Sequence, residues 1–124
     1  MVIYHKIENA QLQKENEFYE NYYKKEINGA DIGTLINKAI DNNKKNNVEI
    51  DKKGNYINNK ENSINIDFKM IDDDDKIYNM EMFYKNGIMN FAQYYRNIYF
   101  KCTKIEYHEK TGKVSYMYIE QITK

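Results

Sequence analysis

Residues 63–70 read SINIDFKM and residues 71–77 read IDDDDKI. In the first stretch Ile64, Ile66, Phe68 and Met70 fall on one side and Ser63, Asn65, Asp67 and Lys69 on the other. That is the period of two expected of a half-buried strand in an antiparallel sheet. The period then changes. Beyond the aspartates, Met80, Phe83, Tyr84, Ile88, Phe91 and Tyr95 recur at helical spacing, with Asn79 as a cap, so a helix near 80–96 is expected. Gly87 interrupts it at a cost of about 1 kcal/mol relative to Ala, enough to split it into two short helices. A strand followed by a helix, with the acidic run between them, makes this part of the chain a mixed structure.

Outward toward the N-terminus the text becomes helical. ENAQLQKENEFYENYYKKE, from about Glu8 to Glu26, permits a helix but carries only a thin apolar stripe of Leu12, Tyr19 and Tyr22 or Tyr23. A helix of that kind is half exposed or packs on something outside the chain. Next, Ile32, Leu35, Ile36, Ala39 and Ile40 share one face of a second helix, with Asp31 as its expected N-cap and Asn42–Asn47 as its end. VEIDKKGNYINNKENS then reads as short extended pieces with turns at Lys53-Gly54 and Asn58-Asn59. The abundance of Asn and Lys is read as a compositional bias.

Toward the C-terminus, NIYFKCTKIEYH and KVSYMYIEQI flank Glu109–Gly112 and form a hairpin. Pairing His108 with Lys113 sets Tyr107 beside Val114 and Ile105 beside Tyr116, with Phe100, Cys102, Met117 and Ile119 on the opposite face. Both faces of this hairpin are apolar enough to expect cover on each. The expectation is therefore an α+β fold: N-terminal helices packed on a small antiparallel sheet with an inserted helix. It forms one domain over residues 1–124, helical over 8–46 and sheet-rich over 48–124.

Composition narrows the function. The 124 residues include thirteen Tyr, five Phe and no Trp, with an apolar share of 41% and a mean hydropathy of −0.94. Tyrosine buries its ring while its hydroxyl stays near water, which suits a small core. Lys and Arg together number 19, as do Asp and Glu. A balance of that kind argues against a nucleic-acid partner, whose affinity rests on a basic surface that releases counterions. One cysteine precludes an internal disulfide. The N-terminus lacks the apolar run of a signal peptide, and no stretch reaches the roughly 20 apolar residues of a membrane span.

The chemical candidates are few. Read as a calcium loop from Asp72, the run would need glycine at its sixth position and glutamate at its twelfth. Those positions hold Ile77 and Phe83. From Asp73 they hold Tyr78 and Tyr84. The aspartates are therefore expected to form a solvated turn that binds no metal tightly. Cys102 and His108 lie six residues apart on one strand, about 20 Å, too far for a nucleophile and its base. His5 could reach Cys102 only through the fold. No residue is assigned a catalytic, cofactor-binding or metal-binding role, and no cofactor is expected. The candidate partner surface is Tyr19, Tyr22 and Tyr23 on the first helix, with Tyr94, Arg96 and Tyr99, where exposed aromatic rings stand beside a cation.

NGADIGTLINKAIDNN (28–43), NSINIDFKM (62–70), MEMFYKNGIMNF (80–91) and FKCTKIEYHEKTGKV (100–114) together resemble a group of small uncharacterised proteins from AT-rich Gram-positive bacteria. In that group a similar domain follows an N-terminal hydrophobic anchor, and a glycine two residues before an acidic or polar residue opens a helix, as Gly29 and Asp31 do here. The resemblance implies an extracytoplasmic domain, attached to the membrane through an anchor outside this chain, and a helix-then-sheet plan similar to a pilin-like protein. Without an anchor the chain is expected in the cytoplasm. The function expected is a non-catalytic module that assembles with itself or binds a protein partner. The alternatives are a small soluble inhibitor or adaptor, and an enzyme using Cys102.

Overall fold

The computed structural model describes residues 2–124, with side chains from Ala10 onward. Helix α1 (Val2–Glu20) leads into a short strand β1 (Glu26–Asn28), helix α2 (Gly29–Lys45), a long loop, and strand β2 (Asn65–Met70). Strand β3 (Lys76–Asn79), helices α3 (Met80–Lys85) and α4 (Ile88–Tyr94), and strands β4 (Tyr99–Tyr107) and β5 (Val114–Gln121) complete the chain. The fold is α+β. The five strands form one sheet in the order β1-β4-β5-β2-β3.

The pairing departs from the all-antiparallel expectation at one place: β2 and β5 run parallel, with Ile66 opposite Met117 and Phe68 opposite Ile119. The cause is the path between them. After β2 the chain turns back along the edge as β3. It then crosses through α3 and α4 to the far side, comes down as β4, and returns as β5 into the gap beside β2. Only a long crossover permits parallel neighbours.

Strand alternation divides the sheet into unlike faces. Ile66, Phe68, Met70, Phe100, Cys102, Met117 and Ile119 point to one side and are buried under the helices. A relay of rings carries that core across the sheet: Phe68 to Phe83 at 5.3 Å between centroids, Phe83 to Phe91 at 4.7 Å, and Phe91 to Phe100 at 6.1 Å. The opposite side carries Glu26, Lys101, Glu120 and Lys69 in one row across four strands, charges of alternating sign in register. The hairpin is thus central, as its apolar content suggested, but covered on its inner face alone. Its register also shifts. Val114 does pair with Tyr107, whereas Ile105 lies opposite Met117 because a bulge inserts Ser115.

Helix α2 buries Ile32, Leu35, Ile36, Ala39 and Ile40, the face its spacing marks out. Its N-cap is Asn28 rather than Asp31: the Asn28 side chain accepts from the Asp31 N–H at 2.9 Å. Gly29 fits there because a Cβ would lie 2.2 Å from the Tyr95 carbonyl oxygen. Its own N–H donates to Tyr95 O and Ile98 O at 3.1 and 3.2 Å. The first helix ends at Glu20, not near residue 26. Beyond it Lys24 turns back with φ of 60°, Tyr23 bridges to Cys102, and Glu26–Asn28 pair with β4. Sheet pairing overrides weak helix propensity in that segment. Helices α3 and α4 are separate, divided at Gly87 with φ of 96°, and Asn79 caps α3 through Met82 N–H at 3.0 Å.

The loop between α2 and β2 gives the asparagines a structural role that composition alone does not suggest. Asn59 Oδ1 accepts from the N–H groups of Glu61, Asn62 and Ser63, at 2.9 to 3.0 Å. Asp51 Oδ1 accepts from Lys53 and Asn55. Asn43, fully buried on α2, donates to Ile64 O and accepts from Ile64 N–H, both at 2.8 Å. Side chains of this type satisfy backbone groups that neither helix nor sheet can reach.

Candidate functional site

Cys102, His108 and Glu81 are each committed to a structural bond. Cys102 has no exposed surface; its thiol donates to Lys104 O at 3.3 Å, and burial pushes its pKa up to about 11. At neutral pH it is a thiol rather than the thiolate a nucleophile requires. His108 is buried just past the end of β4, with Nε2 at 2.6 Å from Ser63 O. His5 lies outside the described side chains. Glu81, buried in the first turn of α3, accepts from the Tyr56 N–H at 2.8 Å, and burial raises its pKa.

The aspartate run forms a connection, as its solubility suggests, but between two strands. Ile71–Asp73 make a short 3-10 turn, Asp74 and Asp75 both take positive φ (54° and 61°), and β3 follows before any helix. Consecutive left-handed residues are the geometry of a tight hairpin turn, and Asp tolerates it better than most side chains. The Tyr78 hydroxyl donates to Asp73. Among the described residues no group of three or more His, Cys, Asp or Glu is arranged to hold a metal ion.

The aromatic candidates separate into two sets. Tyr19 belongs to the core at 4% exposure, so its ring presents no outer surface for a protein partner. Tyr22 and Tyr23 are half-buried against the core, Tyr22 edge-on to Phe18 and close enough to Asp31 for that carboxylate to raise its pKa after burial does. Around the turn from α4 to β4, Tyr94 is 71% exposed and packs against half-buried Tyr95 with centroids 4.6 Å apart and ring planes tilted by 57°, while Arg96 and Tyr99 are also exposed. Burial and the nearby Asp72 hold the Tyr95 hydroxyl up at about 12. Met82 and Met89 are exposed on the adjoining helices at 44% and 76%.

A cleft of about 340 Å³ opens where α1, α2 and the β4–β5 turn meet. Phe18, Tyr19, Ile64 and Val114 form its apolar lining. Two asparagines pin its walls. Asn16 on α1 donates to Gly112 O and accepts from Val114 N–H, both at 3.0 Å, and Asn42 on α2 donates to Asn62 O at 2.8 Å. Sequence reasoning missed this cleft because it joins four separate segments of the chain. The one local signal is Lys38, Asp41, Asn42 and Lys45 sharing a side of α2 beside its apolar face.

Set against protein families, curated proteins and solved structures, the chain matches none. Among the described residues no helix is long and apolar enough to cross a membrane.

Proposed function

We propose that this chain is a non-catalytic binding or assembly module whose contact surface is the α3–α4 side of the domain. One observation carries the reading: Met82, Met89 and Tyr94 stand exposed there, the last two at 76% and 71%, next to Arg96 and Tyr99. Methionine and tyrosine with an adjacent arginine are the residue types enriched at protein interfaces and at their energetic centres. Cys102, His108 and Glu81, by contrast, are bonded into the fold. In keeping with its resemblance to anchored Gram-positive proteins, we assign the module to the extracytoplasmic side, with an anchor supplied by sequence outside this chain. A pilin-like arrangement is supported by a long N-terminal helix leading into a sheet, although α2, α3 and α4 cover that sheet.

Photo-cross-linking in the cells of origin tests the reading. A benzophenone side chain placed at Tyr94 is expected to give one discrete adduct, to a second copy or to one other protein, while the same group at Lys52 gives none. No adduct from position 94, or the same products from both positions, refutes the assigned surface. The gene sequence upstream tests the anchor: a hydrophobic segment is expected there.

A further inference from the structure

We propose that the cleft between α1, α2 and the β4–β5 turn is a binding site for a small organic anion with a compact, ring-containing apolar body. Its volume of about 340 Å³ falls at the lower end of the range of about 300–1,000 Å³ usual for small-molecule sites. Its apolar bed comes chiefly from partly buried Phe18, with the edges of Tyr19, Ile64 and Val114 behind it. Because Asn16 and Asn42 already tie the walls together, a ligand would not have to order them, and less of its binding free energy is lost on entry.

The charge around that bed selects the ligand. Lys14, Lys38, Lys45 and Lys113 border the cleft, against Glu15 and Asp41, so its lining carries two positive charges more than negative. Among the described residues only one of these lysines meets a carboxylate, Lys113 with Glu15 at 3.8 Å. Lys38 lies over the Phe18 ring, 5.5 Å from its centroid, which holds an ammonium group beside the aromatic wall. On the open sheet face, by contrast, charges alternate in register. An unbalanced ring of ammonium groups around an apolar bed fits a carboxylate or sulfonate on a ring system. Inorganic phosphate fails to fill the bed, and a neutral ring fails to meet the lysines. This site lies apart from the α3–α4 surface and stands independently of it.

Calorimetric titration of the intact chain with 2-naphthoate, 2-naphthol and inorganic phosphate tests the inference. Naphthoate is expected to bind one to one, about tenfold more tightly than naphthol, with affinity falling as salt rises. Phosphate is expected to give no measurable binding. Backbone amide shifts should move at Tyr19, Ile64 and Val114. Lys38→Glu with Lys45→Glu, both on the exposed side of α2, should weaken naphthoate at least tenfold. Lys52→Glu with Lys53→Glu, the same charge change in a remote loop, should alter it less than twofold. Equal affinity for naphthoate and naphthol, an equal loss in both charge-reversed pairs, shifts confined to other residues, or no saturable binding at millimolar naphthoate would each overturn it.

Discussion

Replacing Asn43 with Leu keeps the volume of the side chain and removes both of its bonds to Ile64. Ile64 immediately precedes β2 and has no ladder partner, so Asn43 stands in for a neighbouring strand by meeting its N–H and its carbonyl, each at 2.8 Å. Both backbone groups are buried, and an unmet buried donor or acceptor costs about 1–3 kcal/mol, so the variant should lose about 2–6 kcal/mol. Folded domains have about 5–15 kcal/mol in total. With a urea dependence near 1.5 kcal/mol per molar, a loss of about 3 kcal/mol moves the unfolding midpoint down by about 2 M. Asn43→Asp refines the test. An ionised carboxylate still accepts from the N–H but faces the Ile64 carbonyl with a second oxygen, whereas a protonated one donates to it. Its pKa is therefore raised in the folded state, so its stability is greatest below the ordinary aspartate value and lost as pH rises through the raised one. Circular dichroism during urea titration at about pH 4 and about pH 7 measures both variants. A loss under about 1 kcal/mol for Leu, or an Asp variant that does not gain on wild type in acid, would refute the strand-substitute role.

Gly29→Ala should lower stability by more than about 2 kcal/mol, since the new carbon would press on the Tyr95 backbone; thermal unfolding measures it. Replacing Asp74 with Asn and Asp75 with Gly should raise stability by about 1 kcal/mol, because both positions hold positive φ. In the wild type, calcium and chelator should give the same melting temperature, and a rise of many degrees with calcium would identify a ligand cluster. Glu81→Gln keeps an acceptor for Tyr56 N–H without a buried charge. As burial raises the Glu81 pKa, wild-type stability should decline as pH climbs from the ordinary glutamate value through the raised one. The Gln variant should lack that decline, read from melting temperatures across the window.

Two stretches of the fold were legible because their periods are clean. Ile64, Ile66, Phe68 and Met70 are buried on the side their alternation assigns, as are Ile32 to Ile40 on α2. Strands β1 and β3 were not legible, since three and four residues carry too little pattern and are held by partners elsewhere in the chain. The parallel pairing depends on where a long connection ends, which no local spacing records. Asparagine misled for a different reason: its count looks like bias, while its effect depends on which backbone groups lack partners. Of the candidate surface, Tyr94 and Tyr99 were legible as exposed, but Tyr19 reads the same on a thin amphipathic helix whether it faces a partner or the chain's own core.

The strand made last in this domain is the one at the middle of its sheet. As the ribosome extends the chain, β2 and β3 can close into one hairpin and β1 can meet β4, yet each pair keeps a bare edge until β5 emerges from the exit tunnel. Until β5 joins them, the two half-sheets are each able to accept a strand from a neighbouring nascent chain. The sheet can therefore close only once its last strand in chain order is available.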